Sequence, residues 1–186
     1  MPLQATDAME AANENRRLRP SAMDREAFVA AFGGIFEHSP WVAERVFEAG
    51  LTDAADSVVG LHAAMYDEVE AADRERKLEL LRAHPDLAGR LAVSGGLTAA
   101  SSSEQASAGL DRCTPDEFEA FQRLNAAYTA KFGFPFIIAV RGMNRADILA
   151  AFRKRVDNDP ETEFAEALRQ VGRIARLRLE ALFTEH

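Results

Sequence analysis

Only one run in this chain of 186 residues, Phe134 to Val140 (FPFIIAV), has the composition of a β-strand. A strand with no second strand to pair with cannot make a sheet, so the run reads as a buried extended connector, and the fold has to be built from helices. The spacing of apolar residues agrees. Phe28, Phe32, Ile35 and Phe36 recur at the helical period and predict an amphipathic helix over about residues 24–37. Ser39-Pro40 supplies an N-cap and a first-position proline for a second helix, which Gly50 closes. A third, over about residues 53–70, carries Val58, Leu61, His62, Met65 and Val69 on one side, and a fourth, over about 71–83, stops before Pro85. Pro85 to Ser103, with Gly89, Gly95, Gly96 and consecutive serines, predicts short turns, and helix resumes around Ser102. Thr114-Pro115-Asp116-Glu117 is a capping box that launches a helix through Phe118, Phe121, Leu124 and Tyr128 to Gly133. Two more are predicted over about residues 144–156 and 160–183. The expected architecture is all-α, a single-domain bundle of about eight helices with one irregular connector segment. Residues 21–186 form that domain, and the polar residues 1–20, which lack an apolar period, read as a flexible arm.

Composition removes several function classes. Lys and Arg number 22 against 30 Asp and Glu, a net charge of −8. Without clustered cations to displace counterions, nucleic acid is not an expected partner. The lone cysteine, Cys113, excludes an internal disulfide framework and multi-cysteine metal sites, and reads as a small packing residue. The histidines are His38, His62, His84 and His186, and no HExxH, GxGxxG or P-loop run is present. The chain is therefore expected to bind no metal and, if an enzyme, to work without a cofactor. No apolar run approaches the roughly 18 residues of a membrane span. The N-terminal stretch lacks the apolar core of a secretory signal and the C-terminus carries no peroxisomal address, so the expected location is cytoplasmic.

Three places break a local rule, and such places are candidates for function. Arg178 falls on the apolar stripe of the last helix with Val171, Ala175 and Leu182, where its guanidinium must meet an anion. Either an internal acid or a ligand carboxylate would serve, and the planar fork suits the second. His84-Pro85-Asp86 stands where a helix ends. The proline disfavours helical geometry at His84, which either caps the helix dipole or faces a pocket as an acid–base group. Ser101-x-x-Glu104 and Ser102-x-x-Gln105 are both formal capping boxes. A helix N-terminus also holds anions and keeps a nearby glutamate ionised, and such a glutamate beside a histidine would orient it. His38 and His62 support no functional assignment.

Together these segments resemble the OHCU decarboxylases of urate degradation (2-oxo-4-hydroxy-4-carboxy-5-ureidoimidazoline decarboxylases). The matching runs are Phe36-Glu37-His38-Ser39-Pro40-Trp41, His84-Pro85-Asp86-Leu87-Ala88-Gly89, Ser101-x-x-Glu104-Gln105 with Ala108-Gly109-Leu110, Leu124-Asn125-x-x-Tyr128, Lys131 to Ile138, and Ile174-x-x-Leu177-Arg178-Leu179. The resemblance implies an all-α homodimeric enzyme that converts the small anionic substrate OHCU into (S)-allantoin and carbon dioxide without metal or organic cofactor. It implies that His84 is the catalytic histidine and Glu104 the glutamate that works with it. Ser101 and Gln105 would hydrogen-bond the substrate, Arg178 would engage it, and Pro85, Phe136 and Ile138 would wall the pocket. Such a substrate is its own electron sink, since the ring C=N beside the reacting carbon accepts the electron pair left by carbon dioxide. Two other readings keep the fold: a non-catalytic helical binding protein, and a cofactor-free lyase for a related ureido or imidazoline ring.

Overall fold

The computed structural model describes residues 18–89 and 97–185. Residues 1–17 of the expected arm, and Gly95 and Gly96 of the expected turns, lie outside them. Among the described residues there are eight α-helices and no strand: α1 (Arg25–Phe32), α2 (Trp41–Ala49), α3 (Val58–Ala71), α4 (Arg74–Arg82), α5 (Ala99–Ser107), α6 (Pro115–Phe132), α7 (Arg145–Arg155) and α8 (Pro160–Thr184). Short 3-10 turns cover Pro20–Ala22, Asp53–Asp56 and Leu110–Arg112. Phe134–Val140 is neither helix nor strand and is buried throughout, so the all-α reading holds.

The helix ends show which sequence signals won. Thr114 caps α6 by accepting Glu117 N–H at 3.2 Å while Glu117 Oε2 accepts Thr114 N–H at 2.9 Å. That backbone bond, reinforced by Arg145 Nε on the same oxygen at 2.9 Å, holds the Glu117 carboxyl below its usual range. Gly133, at φ +76°, ends the helix in the left-handed conformation that glycine adopts without a Cβ penalty. Asn144 and Asp147 form the same reciprocal box at the start of α7. Three expectations shift. The first helix stops at Phe32, not near residue 37, because Gly33 and Gly34 disfavour continuing it. The predicted third helix divides at Ser57, whose hydroxyl accepts Gly60 N–H at 3.1 Å and starts α3 afresh. Helix α5 begins at Ala99, three residues before the expected Ser102, because Thr98 and not a serine is its N-cap.

The described residues fall into two compact units, each drawn from separate stretches of sequence. The first comprises residues 18–35, Pro40–Glu70 and 175–185. Its buried side chains include Phe28, Phe32, Val46, Leu61, Met65 and Leu179. Phe28 and Phe32 lie 4.9 Å apart, and Phe32 is 6.5 Å from Phe183. Ser21 donates both its N–H and its hydroxyl to Asp56 at 2.8 Å, which ties the first 3-10 turn to the second.

The second unit comprises Phe36–Ser39 and Ala71–Ile174. Its core is an aromatic cluster around Tyr128, with Phe132, Phe134, Phe136 and Phe152 at centroid distances of 4.5 to 5.9 Å. Beside it lies a buried ion pair, Arg155 with Glu163, in which Arg155 Nε bonds Glu163 Oε1 at 2.9 Å. Tyr128 Oη donates to the same carboxylate oxygen, and Asn158 Nδ2 to the other at 2.8 Å. Burial, then the bond to Glu163, pushes the Tyr128 hydroxyl far above the ordinary phenol range, so it stays protonated and donates to Glu163. A carboxylate and a guanidinium are tolerated in such a place because each finds several partners.

Candidate active site

His84 sits two residues past the end of α4 and is 8% exposed. Its Nδ1 lies 2.9 Å from the Leu80 carbonyl oxygen. A carbonyl only accepts, so Nδ1 carries a hydrogen, and Nε2 is the nitrogen whose protonation can change. The helix-end reading of His84 is therefore realised, through Nδ1 on the Leu80 carbonyl.

The loop that follows is held by side-chain amides. Gln105 Oε1 accepts Ala88 N–H at 3.0 Å and Gln105 Nε2 donates to the Asp86 carbonyl at 3.3 Å. Gln122 Nε2 donates to the Ala88 carbonyl and Asn125 Nδ2 to the Leu87 carbonyl, each at 2.9 Å. These bonds hold Ala88 at φ +47°, which an alanine rarely adopts. Gly89 is required next to it, because a Cβ there would come within 2.7 Å of Asp86 Cβ. Gln105, expected among the substrate contacts, thus has a structural task on the loop. Replacing it by leucine leaves the buried Ala88 N–H unpaired and is expected to cost about 1–3 kcal/mol of stability. Denaturant melts measure that loss, and amide exchange at Ala88 should quicken.

Gln105 also joins the loop to α5, where the other polar candidates lie. Ser101 and Gln105 are one turn apart and both buried, and Glu104 is half-buried between them on the helix surface. Because Thr98 supplies the cap, accepting Ser101 N–H at 3.2 Å, neither formal serine box operates. The Ser101 hydroxyl instead donates to Glu37 Oε1 at 2.9 Å.

The connector passes through the same unit. Arg155 Nη1 bonds the Ile137 carbonyl at 2.8 Å, and Gln170 Oε1 accepts Ala139 N–H at 3.0 Å. In an extended chain alternate residues turn their backbone groups to opposite sides. Pinning residues 137 and 139 on one side therefore turns the N–H and C=O of Ile138 to the other. The Phe136 ring is packed away between Phe152, stacked at 3.8 Å, and the Arg155 guanidinium at 4.5 Å. Ile138 borders a cavity of about 760 Å³ with Lys154, Arg155, Thr162, Glu166 and Gln170. The polar lining of that cavity is paired in part with itself, Gln170 Nε2 with Glu166 Oε1 at 2.8 Å and Arg169 with Glu166, while Thr162 Oγ1 donates to Asp159 Oδ2 at 2.5 Å. It frames the connector, and its one carboxylate, Glu166, is engaged by Gln170 and Arg169.

Arg178 belongs to the first unit. It is half-buried, and its Nη1 donates to the Ile35 carbonyl at 3.3 Å. Pro85 is half-buried on the loop beside His84. Sequence reasoning passed over Gln122, Arg155 and Gln170, and quoted Glu37 and Asn125 without a role. Asn125 left a signal, a polar residue on the buried stripe of α6 between Phe121 and Tyr128. Among the described residues no group of three or more His, Cys, Asp or Glu could hold a metal ion.

The profile of the family described as OHCU decarboxylase matches residues 21–180. A 2-oxo-4-hydroxy-4-carboxy-5-ureidoimidazoline decarboxylase of Haloferax volcanii is 49% identical over 162 residues, covering 87% of this chain and 92% of that protein. One from Mus musculus is 37% identical over 173 residues, 91% of this chain and 93% of that protein. The crystal structure of an (S)-allantoin synthase superposes with a TM-score of 0.69 at 36% identity, covering 88% of this chain and 52% of that one. A crystal structure of OHCU decarboxylase in the presence of (S)-allantoin has a TM-score of 0.66 at 23% identity, over 87% of this chain and 99% of that one, a likeness of fold.

Proposed function

Because the chain belongs to the OHCU decarboxylase family, we propose how its residues divide the work of removing carbon dioxide from 2-oxo-4-hydroxy-4-carboxy-5-ureidoimidazoline. The chain is a carboxy-lyase of urate degradation. The bond to the substrate carboxylate breaks, its electron pair passes into the adjacent ring C=N, and a proton delivered to one face gives (S)-allantoin. No cofactor is needed to hold the electrons. His84 Nε2 handles the proton at the reacting carbon or its hydroxyl, and Glu104 sets the charge and orientation of the ring. Ser101, Gln105 and Arg178 fix the polar groups of the substrate. Pro85, Phe136 and Ile138 exclude water, which would otherwise protonate either face.

The observation that supports this reading most is the held geometry of His84-Pro85-Asp86-Leu87-Ala88-Gly89. One ring nitrogen is committed to Leu80 and the loop behind it is braced at Asp86, Leu87 and Ala88. A histidine with only a packing role has no need of that bracing. For Arg178 the support is its place in the closing family run. The catalytic domain is taken to start near residue 21, with residues 18–20 part of its first unit. The homodimer follows from the resemblance, and it belongs to the same proposal, as does a cytoplasmic location. Among the described residues no helix is long and apolar enough to cross a membrane.

The test feeds the protein freshly formed OHCU, made from urate by urate oxidase and hydroxyisourate hydrolase, and follows ultraviolet absorbance and circular dichroism. Decay faster than the spontaneous rate, with (S)-allantoin accumulating, is the expected result. Decay at the spontaneous rate to racemic product would mean a binding protein, or a lyase whose ring substrate a panel of ureido compounds would reveal.

A further inference from the structure

Glu37 is 2% exposed, in a turn that also holds His38 at φ +46°. Its Oε1 accepts hydrogen bonds from Thr98 Oγ1 at 2.6 Å and from Ser101 Oγ at 2.9 Å. The two hydroxyls differ in their tasks. Thr98 Oγ1 donates to Glu37 and accepts Ser101 N–H as the cap of α5, so its place is explained by structure alone. Ser101 Oγ carries one hydrogen, and Glu37 takes it. A hydroxyl has one donor and two lone pairs, so Ser101 meets any further group as an acceptor. A carboxylate oxygen that takes both hydroxyl hydrogens fixes this direction in a way an amide NH2 could not.

We propose that Glu37 is a positioning residue that commits Ser101 to accept a hydrogen bond from the substrate, so that Ser101 reads an N–H or O–H donor, the ureido group or the 4-hydroxyl, and turns away carboxylate and carbonyl oxygens. This rests on the placing of Ser101 among the substrate contacts under the proposed function. It adds a sense of direction to that contact. The carboxylate to be expelled has to lie away from Ser101, since lone pairs facing lone pairs repel. The N-terminus of α5 thereby sets which way round the ring can sit.

A double-mutant cycle on OHCU tests this with wild type, Glu37→Gln, Ser101→Ala and the pair, each checked by thermal melt. Glutamine keeps the size of residue 37 but can offer its NH2 to Ser101 and reverse the hydroxyl. Ser101→Ala is expected to raise KM about tenfold with kcat changed less than about threefold, and Glu37→Gln to raise KM about five- to tenfold. The double variant should be no worse than Ser101→Ala, because Glu37 acts only through the hydroxyl. Losses that multiply in the double variant, or a wild-type KM for Glu37→Gln, overturn the inference. A wild-type KM for Ser101→Ala overturns the placing of Ser101 and the inference with it, while a wild-type protein inert toward OHCU overturns the functional reading itself. (S)-allantoin has the ureido group and not the 4-hydroxyl. Weaker (S)-allantoin binding by Ser101→Ala identifies the ureido donor, and unchanged binding beside a raised KM identifies the hydroxyl. Should Glu37→Gln fail to fold, the Ser101 hydroxyl proton can be followed by NMR in the wild type. It should remain protected and in contact with Glu37 when (S)-allantoin is bound, and its transfer to the ligand overturns the proposal.

Discussion

Replacing His84 with asparagine is expected to lower kcat on OHCU by about 10²- to 10⁴-fold, the range for loss of a general acid–base group. Asparagine is the informative choice. Its Nδ2 lies close to where the ring has Nδ1, so it can keep donating to the Leu80 carbonyl and preserve the end of α4. What it deletes is the second nitrogen, the one that titrates. Stability and KM should therefore change little while turnover collapses, and any residual product should lose its chirality. Stopped-flow absorbance for the rate, with circular dichroism for the allantoin formed, separates these effects. Production of (S)-allantoin at near the wild-type rate would make His84 a helix-capping residue and end the proposed mechanism.

The second large effect is expected far from the proton transfer. Glu163 is fully buried and is the shared partner of Arg155, Tyr128 and Asn158. Glu163→Ala leaves the Arg155 guanidinium, in a site that is 8% exposed, with only the more distant Glu166 carboxylate at 4.0 Å. Breaking one side of a buried ion pair costs about 3–5 kcal/mol, which in a chain of this size lowers Tm by roughly 10 °C. The loss has a second reading at the site, because Arg155 also holds the Ile137 carbonyl and lies over Phe136. Once Arg155 shifts, the connector loses one of the two bonds that set its register. KM for OHCU should then rise even at temperatures well below the melt. A variant as stable as the wild type would show that the pair contributes nothing to the fold.

Much of the fold was legible because its signals are local. The capping pair Thr114 and Glu117, the terminal Gly133, the box at Asn144 and Asp147, and the proline at the start of α8 each act within a few residues. The connector was legible for the opposite reason, as an apolar run with nothing to pair with. Where local signals compete, sequence alone chose wrongly. Thr98, Ser101 and Ser102 are all good caps, and Thr98 and Ser101 both bond Glu37, more than 60 positions earlier in the chain. His84 was legible from the proline after it, and Arg178 from its place on an apolar stripe. The amides that hold the histidine's loop were not, since Gln122 and Asn125 reach back 34 and 38 residues to find their carbonyls. Polar side chains on a helix surface look alike until the partner is known.

The left-handed alanine at position 88 bears on how a ligand meets this protein. A loop that took that shape only around a bound molecule would surrender conformational freedom at the moment of association, and the affinity would be lower by that amount. Here Gln105, Gln122 and Asn125 hold Asp86, Leu87 and Ala88 through bonds within the chain itself. The ordering cost was met when the helices came together, so under the proposed function His84-Pro85-Asp86-Leu87-Ala88 would meet its substrate as a preorganised surface. Association at this loop should then resemble a key entering a cut lock, its rate set by encounter and not by closure.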